Sequence, residues 1–257
     1  QDPRFASYIS AYTESPVSKA STIKVVLNSS LADSLDISKI DMKKVLRIYP
    51  SIEGTTKFAD ERTIEFTPAE PLMSGHKYIV ELRLRRIAKV PGDLRKFVFP
   101  VTTIAQDMKV NIEDQVTIDR TNLVYQQVSG SVKTADVETI ENVRKAVTAK
   151  AGNTSYNIKW RETELGDIFN FTIDSVKRSN ESQYLTISYD GKAIKAKTSG
   201  EKKIEIPALN VFAVSSVKVL STPSQHIRIQ FTDPVDSKQD LDGLITVVGT
   251  ERNSNDS

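Results

Sequence analysis

At 257 residues, with 39% hydrophobic and 26% charged side chains and 35 basic against 33 acidic groups, the chain has room for about two ordinary domains and lacks the gathered basic excess of a nucleic-acid binder. It contains no cysteine, which excludes disulfide staples, thiolate metal sites, cysteine nucleophiles and internal thioesters within these residues. No run approaches the ~18 apolar residues of a membrane helix, and Gln1-Asp2-Pro3-Arg4-Phe5 has none of the regions of a secretion signal, so an exported protein would already have lost it.

Period-two alternation, the mark of half-buried strands, dominates the first hundred residues. Ile23, Val25 and Leu27 share one face of a short segment, and Ile64 and Phe66 share another. From Lys77 to Arg85 the pattern places Tyr78, Val80, Leu82 and Leu84 inward and Glu81, Arg83 and Arg85 outward. Phe97, Phe99 and Val101 close the series. Turn chemistry separates these strands at Pro50 to Gly54, at Pro68 to Gly75 and at Pro91-Gly92-Asp93. Short strands at regular spacing predict an antiparallel sandwich over residues 1–104.

A second sandwich is expected over 105–212, with strands at Val116–Ile118, Leu123–Tyr125, Val128–Val132, Tyr156–Trp160, Phe169–Ile173, Leu185–Tyr189 and Lys202–Ile206. One segment departs from alternation. Between Asp136 and Lys150, Val137, Ile140, Val143 or Arg144, and Val147 recur at helical spacing, with Asp136 as N-cap and Gly152 as stop. A short helix near 136–150 is therefore expected, and Asp190-Gly191 reads as a tight hairpin turn.

The third segment, 213–257, echoes the first: Ile227 to Phe231 repeats the pattern of Ile23 to Leu27. Each leads into a polar loop, with Leu35-Asp36 in one and Asp240-Leu241 in the other, and then into a new apolar run, Val45–Tyr49 or Leu244–Val248. Such a repeat implies a tandem array, with 213–257 the start of a truncated third sandwich. The fold class expected is all-β: tandem antiparallel sandwiches with one short helix in the second.

Residues with chemistry are sparse. His76 lies in a turn and reads as solvated, and His226 precedes a strand; with no third histidine and no cysteine, neither suggests a zinc site. Glycine-rich phosphate loops and the Gly-x-Ser-x-Gly elbow are absent. Asp233, Asp236, Asp240 and Asp242 could be weighed as calcium ligands, but the spacing lacks the closing glutamate of an EF-hand, and a solvated loop is the better reading. Arg83, Arg85, Arg86 and Lys89 form the densest basic run and read as a solubilising strand face. Sequons at Asn28, Asn153, Asn170 and Asn180 carry little weight. No catalytic, cofactor-binding or metal-binding residue is assigned, and no cofactor is expected.

Arg62-Thr63-Ile64-Glu65-Phe66-Thr67-Pro68, then Pro71-Leu72 and Gly75-His76-Lys77-Tyr78, resembles a motif of bacterial Ig-like domains, in which Phe66 and Tyr78 would meet in the core while Gly75 permits the turn. Further segments are Tyr8 to Tyr12, Gly130 to Val137, Phe171 to Asp174, and Gln230-Phe231-Thr232-Asp233-Pro234 with Asp240 to Leu244. With these, the order of units resembles the start of bacterial alpha-2-macroglobulins. The resemblance implies macroglobulin-like or Ig-like sandwiches in an exported, cell-envelope protein that traps proteases. Partners would then be proteases, engaged through other parts of the parent protein, and neighbouring domains of the same chain. Nucleic acid is not expected, and a membrane would be met only through a lipid anchor outside these residues. The competing reading is a surface adhesion or glycan-binding module, for which an outward Trp160 near Tyr156 would be the sign; the alternating pattern places Trp160 in the core. A hydrolase on a sandwich fold has no supporting constellation.

Overall fold

The computed structural model describes residues 2–236, 238–240 and 242–246. Its first strands are Ile9–Tyr12 (β1), Ile23–Leu27 (β2), Leu46–Tyr49 (β3), Gly54–Phe58 (β4), Thr63–Pro68 (β5), Lys77–Leu82 (β6) and Phe97–Thr102 (β7), with a one-turn helix at Ser29–Ala32 (α1). They pair in the orders β1-β2-β5-β4 and β3-β6-β7, all antiparallel. This four-plus-three division is that of the immunoglobulin constant-type sandwich. Alternation produces it. Ile23, Val25, Leu27, Ile64 and Phe66 on one sheet and Tyr78, Val80, Leu82, Phe97, Phe99 and Val101 on the other form one buried cluster. Each such side chain contributes roughly 1.5–3 kcal/mol on leaving water. After β1 the chain crosses to the second sheet: Val17 N–H donates to Thr102 O (3.0 Å) and Ile104 N–H to Val17 O (2.8 Å).

Two details differ from the alternation. Strand β6 stops at Leu82, and Leu84–Arg86 form a 3-10 turn. Glu81 and Arg83 are buried rather than solvated, because β6 lies between β3 and β7 and the two side chains satisfy one another. Arg83 Nε donates to Glu81 Oε1 (2.8 Å) and Lys96 Nζ to Oε2 (2.9 Å). Burial pushes the Glu81 carboxyl up, but Arg83 and Lys96 outweigh it and hold the group below the ordinary range.

The second sandwich contains Met108–Thr117 (β8), Tyr125–Thr134 (β9), helix Ile140–Ala146 (α2), Val147–Ala151 (β10), Thr154–Tyr156 (β11), Lys159–Glu162 (β12), Ile168–Lys177 (β13), Gln183–Asp190 (β14) and Ser199–Ile206 (β15). Its sheets run β11-β10-β14-β15 and β12-β13-β9-β8. Val110, Val128, Val132, Phe169, Phe171 and Ile173 on one sheet face Val147, Ala149, Leu185, Ile187 and Ile206 on the other. A Cβ at Gly130 would lie 2.3 Å from Asn111 O and 2.6 Å from Phe171 Cζ, so glycine is what lets the Phe171 ring lie against β9.

The helix is shorter than its spacing predicts. Thr139, not Asp136, precedes it, and Val147, Ala149 and Ala151 alternate inward as strand β10. The segment Tyr156–Trp160, expected as one strand, is two: β11 and β12 belong to opposite sheets, so the chain changes sheet at 157–158. Asp190-Gly191 is no two-residue hairpin, since Asp190 pairs with Ser199 and Gly191–Ile194 form a 3-10 turn capped by the Asp190 carboxylate. Of the expected strand Val116–Ile118, Val116 and Thr117 end the much longer strand β8, whereas Leu123 and Val124, expected as strand, lie in a turn and only Tyr125 opens β9.

Beyond the second sandwich, Val214–Leu220 (β16) and His226–Phe231 (β17) pair as an antiparallel ribbon. Leu244, Ile245 and Thr246 are not in a strand, while Val247 and Val248 of that expected strand, and Leu241 of the preceding loop, lie outside the described residues.

Candidate functional site: the two polar junctions

Where the first sandwich meets the second, the chain runs straight from β7 through residues 103–107 into β8, and Thr103 and Gln106 there are buried. Gln106 and Asp136 are 7% and 4% exposed. The Gln106 carboxamide accepts from Asp136 N–H (3.0 Å) and Asp107 N–H (3.2 Å) through Oε1. Its Nε2 faces Asp136 O (3.2 Å), Val137 O (3.4 Å) and Glu138 Oε2 (3.2 Å). On the first-sandwich side, Gln106 N–H donates to Ser74 Oγ (2.7 Å), whose hydroxyl donates to Ile104 O (2.8 Å). The two sandwiches then meet directly. Lys19 N–H donates to Asp136 Oδ2 (2.6 Å) and Lys19 Nζ to Glu138 Oε2 (2.7 Å). Burial pushes the Glu138 carboxyl up, but hydrogen bonds from Lys19, Asn142, the Thr139 amide and Gln106 outweigh that and hold it below the ordinary glutamate range. Asp136, expected as a helix cap, is instead a junction residue. A buried network with its members satisfied specifies one geometry, unlike the exposed, polar linkers on which domains swing.

His76 belongs to this region. It is half-buried, with its ring edge against Tyr78 (4.7 Å) and its Nε2 buried without a hydrogen-bond partner among the described residues, so it is not the solvated turn residue expected.

The second junction is built on Arg178, whose side chain is 0% exposed. It donates to the carbonyls of Pro207 (3.0 Å), Leu123 (3.3 Å), Ala208 (2.7 Å) and Val211 (3.3 Å) and pairs with the Asp233 carboxylate. Five donors in a fixed fork suit that convergence, which lysine could not match. Around it, Thr117 Oγ1 (2.6 Å) and Gln126 Nε2 (3.2 Å) donate to Thr232 O, Gln230 Nε2 to Gln115 O (3.0 Å), and Lys218 Nζ to Asp114 Oδ1 (2.6 Å). The β16–β17 ribbon is thereby fastened to β8 and β9.

Asp233 is thus drawn out of the solvated acidic loop and into an ion pair, while Asp236, Asp240 and Asp242 stay exposed. No group of three or more His, Cys, Asp or Glu among the described residues is placed to hold a metal. Nothing in the pattern around Val176-Lys177-Arg178 distinguishes the buried arginine from its neighbour. The missing signal is a bulge between Ile173 and Val176, with Ser175 at φ 58°, which flips the strand's phase so that Val176 and Arg178 turn inward.

The remaining candidates stay apart. Arg85, Arg86 and Lys89 are exposed, whereas Arg83 is not. His226 is half-buried, with Nδ1 2.8 Å from Ser224 O. Asn28 caps α1 by accepting from Ser30 N–H. Trp160 packs on Phe171 (5.4 Å), yet with Tyr156, Arg144, Lys150, Asn157 and Lys159 it also lines a hollow of about 640 Å³ where the chain changes sheets.

No protein-family model matches the chain, and no curated protein matches it in sequence. Among solved structures it is similar to an L,D-transpeptidase from Mycobacterium smegmatis, at 9% identity and TM-score 0.29, covering 87% of this chain and 76% of that one. It is also similar to SGBP-B of the Bacteroides ovatus mixed-linkage glucan utilization locus, in complex with a mixed-linkage heptasaccharide, at 14% identity and TM-score 0.24 over 82% of this chain and 48% of that one. The cis-dimer structure of protocadherin gammaB7 EC3-6 gives 11% identity and TM-score 0.26 over 80% and 49%. The chain spans about half the length of the last two. At such scores the likenesses carry no argument, and the Ig-like, tandem-sandwich architecture rests on the strand orders themselves.

Proposed function

We propose that this tandem of sandwiches is a non-catalytic scaffold segment of an alpha-2-macroglobulin-like protease trap of the bacterial cell envelope. The observation that carries the reading is the pair of buried polar junctions, which hold successive units in one orientation, as a scaffold requires and a flexible tether does not. The sequence resemblance supplies the parent family, and two of its segments fall on the junctions: Gly130 to Val137 contains Asp136, and Gln230 to Pro234 contains Thr232 and Asp233. Proteases would be met by other parts of the parent protein, and these residues would space and orient those parts. The test is to challenge the natural envelope protein that carries residues 1–257 with proteases and follow hydrolysis of a protein substrate. Hydrolysis should fall with the natural protein and not with residues 1–257 alone. Undiminished hydrolysis with the natural protein would remove the trap reading.

One observation favours a second reading, glycan binding: Trp160 and Tyr156 line the same hollow beside Arg144, Asn157 and Lys159. Trp160 is the sole tryptophan, so a saccharide seated there would change the chain's tryptophan fluorescence. An unchanged spectrum across a saccharide panel removes that reading.

A further inference from the structure

Over three pairs and the bulge among them, the β16–β17 ribbon repeats the register of the β1–β2 ribbon. In the first, Ile9 lies opposite Leu27, a bulge follows, and Ala11 and Tyr12 lie opposite Val26 and Val25. In the second, Val214 lies opposite Phe231, a bulge follows, and Ser216 and Val217 lie opposite Gln230 and Ile229. The bulged residue is serine in both, and its hydroxyl donates to the same carbonyl: Ser10 Oγ to Val26 O (3.2 Å) and Ser215 Oγ to Gln230 O (3.1 Å). The closing bond is shared too, from Asn28 N–H to Tyr8 O (2.9 Å) and from Thr232 N–H to Ala213 O (2.8 Å). Ile227, Arg228, Ile229, Gln230 and Phe231 therefore stand where Ile23, Lys24, Val25, Val26 and Leu27 stand in the first sandwich.

The surroundings of the two ribbons differ. Strand β2 is flanked on its far edge by β5, with Ile23 opposite Phe66, Lys24 opposite Glu65 and Val25 opposite Ile64. Lys24 Nζ meets Glu65 Oε2 at 3.1 Å, and Ile23 and Val25 are wholly buried. Among the described residues β17 pairs only with β16, and Ile227 is 45% exposed. Val217 and Val219 beside it are exposed as well. A paired ribbon with an apolar face and an open edge is a template for strand addition.

We propose that the free edge of β17 takes an antiparallel strand of the β5 type, with apolar residues opposite Ile227 and Ile229 and a carboxylate opposite Arg228. The strand is supplied by polypeptide joined to this chain as part of a third sandwich built like the first. The pairing equivalence fixes the register and the charge of Arg228 fixes the acidic position, so the inference is independent of either functional reading.

The test adds a synthetic peptide reproducing residues 60–70, which contains β5, to the whole 257-residue chain and follows amide hydrogen exchange along β17. In the free monomer the open-edge amides should exchange fast, and the peptide should slow them at least ~10-fold and saturably. A peptide with Glu65→Lys should fail against the wild-type chain and succeed against Arg228→Glu. The proposal is overturned if these amides are already slow in the free monomer, since the edge would then not be open to an added strand. Slowing that depends on protein concentration overturns it in favour of a second copy, and equal behaviour of the two peptides, or no effect of either, overturns the chemistry assigned to the partner strand.

Discussion

Arg178 and Asp233 form an ion pair across the boundary between the second sandwich and the ribbon that follows it, and the guanidinium in that pair is wholly withdrawn from solvent. The same guanidinium holds the carbonyls of Leu123, Pro207, Ala208 and Val211. A buried charge is tolerable only with such partners, so the arginine and its partners depend on one another.

Replacing Arg178 with Met keeps length and apolar bulk but strands Asp233 and the carbonyls. The expected cost is about 3–5 kcal/mol, read as a lower urea midpoint. Amide exchange in β16–β17 should accelerate more than exchange in β2 or β5. Arg178→Lys should recover only part of the loss, because an ammonium cannot span the fork.

Gln106 has the same standing at the first junction. Gln106→Ala leaves the Asp136 amide and neighbouring carbonyls buried without that partner, at about 1–3 kcal/mol. Calorimetry should then show the two sandwiches unfolding in more separated transitions than in the wild type.

Acid should loosen that junction. The folded-state pKa of Glu138 lies below its ordinary value, because the hydrogen bonds to the carboxylate outweigh burial. Its contribution is therefore fully present above the unfolded value of about 4.3 and is lost as pH falls through the folded value. Glu81 has the same sign for the same reason. Stability measured from pH 6 down to pH 3 (roughly the carboxylate range) should fall. Glu138→Gln should flatten part of that slope while starting from a lower stability at neutral pH, since Lys19 loses its charged partner.

Gly130→Ala inserts a methyl between Asn111 O and the Phe171 ring. Overpacking should cost about 1–3 kcal/mol. Phe171 lies against Trp160, so the tryptophan emission should shift with it.

Much of this architecture was legible in the sequence, and the reason is one-sided burial. Where a strand has one wet face, as at Ile23 to Leu27 or Phe97 to Val101, alternation alone names the inward residues. It failed where another signal masked the alternation or where the chain changed sheets. At Val147 to Ala151 small alanines alternate with polar residues, and the preceding helical spacing overran into a strand. At 157–158 the chain changes sheets without a glycine or proline to mark it. The junction residues were the least legible, because Gln106, Asp136 and Arg178 are of types that usually face water. Only neighbours distant in sequence, Lys19 for Asp136 and Asp233 for Arg178, turn them into buried locks.

The claim that the two junctions hold these units as one scaffold is tested most directly by residual dipolar couplings from the whole chain in weak alignment. Couplings from residues 9–102, 108–206 and 214–231 should fit a single alignment tensor. Separate tensors, reduced in magnitude for one unit relative to another, would mean that the units move independently, and the scaffold reading would fail.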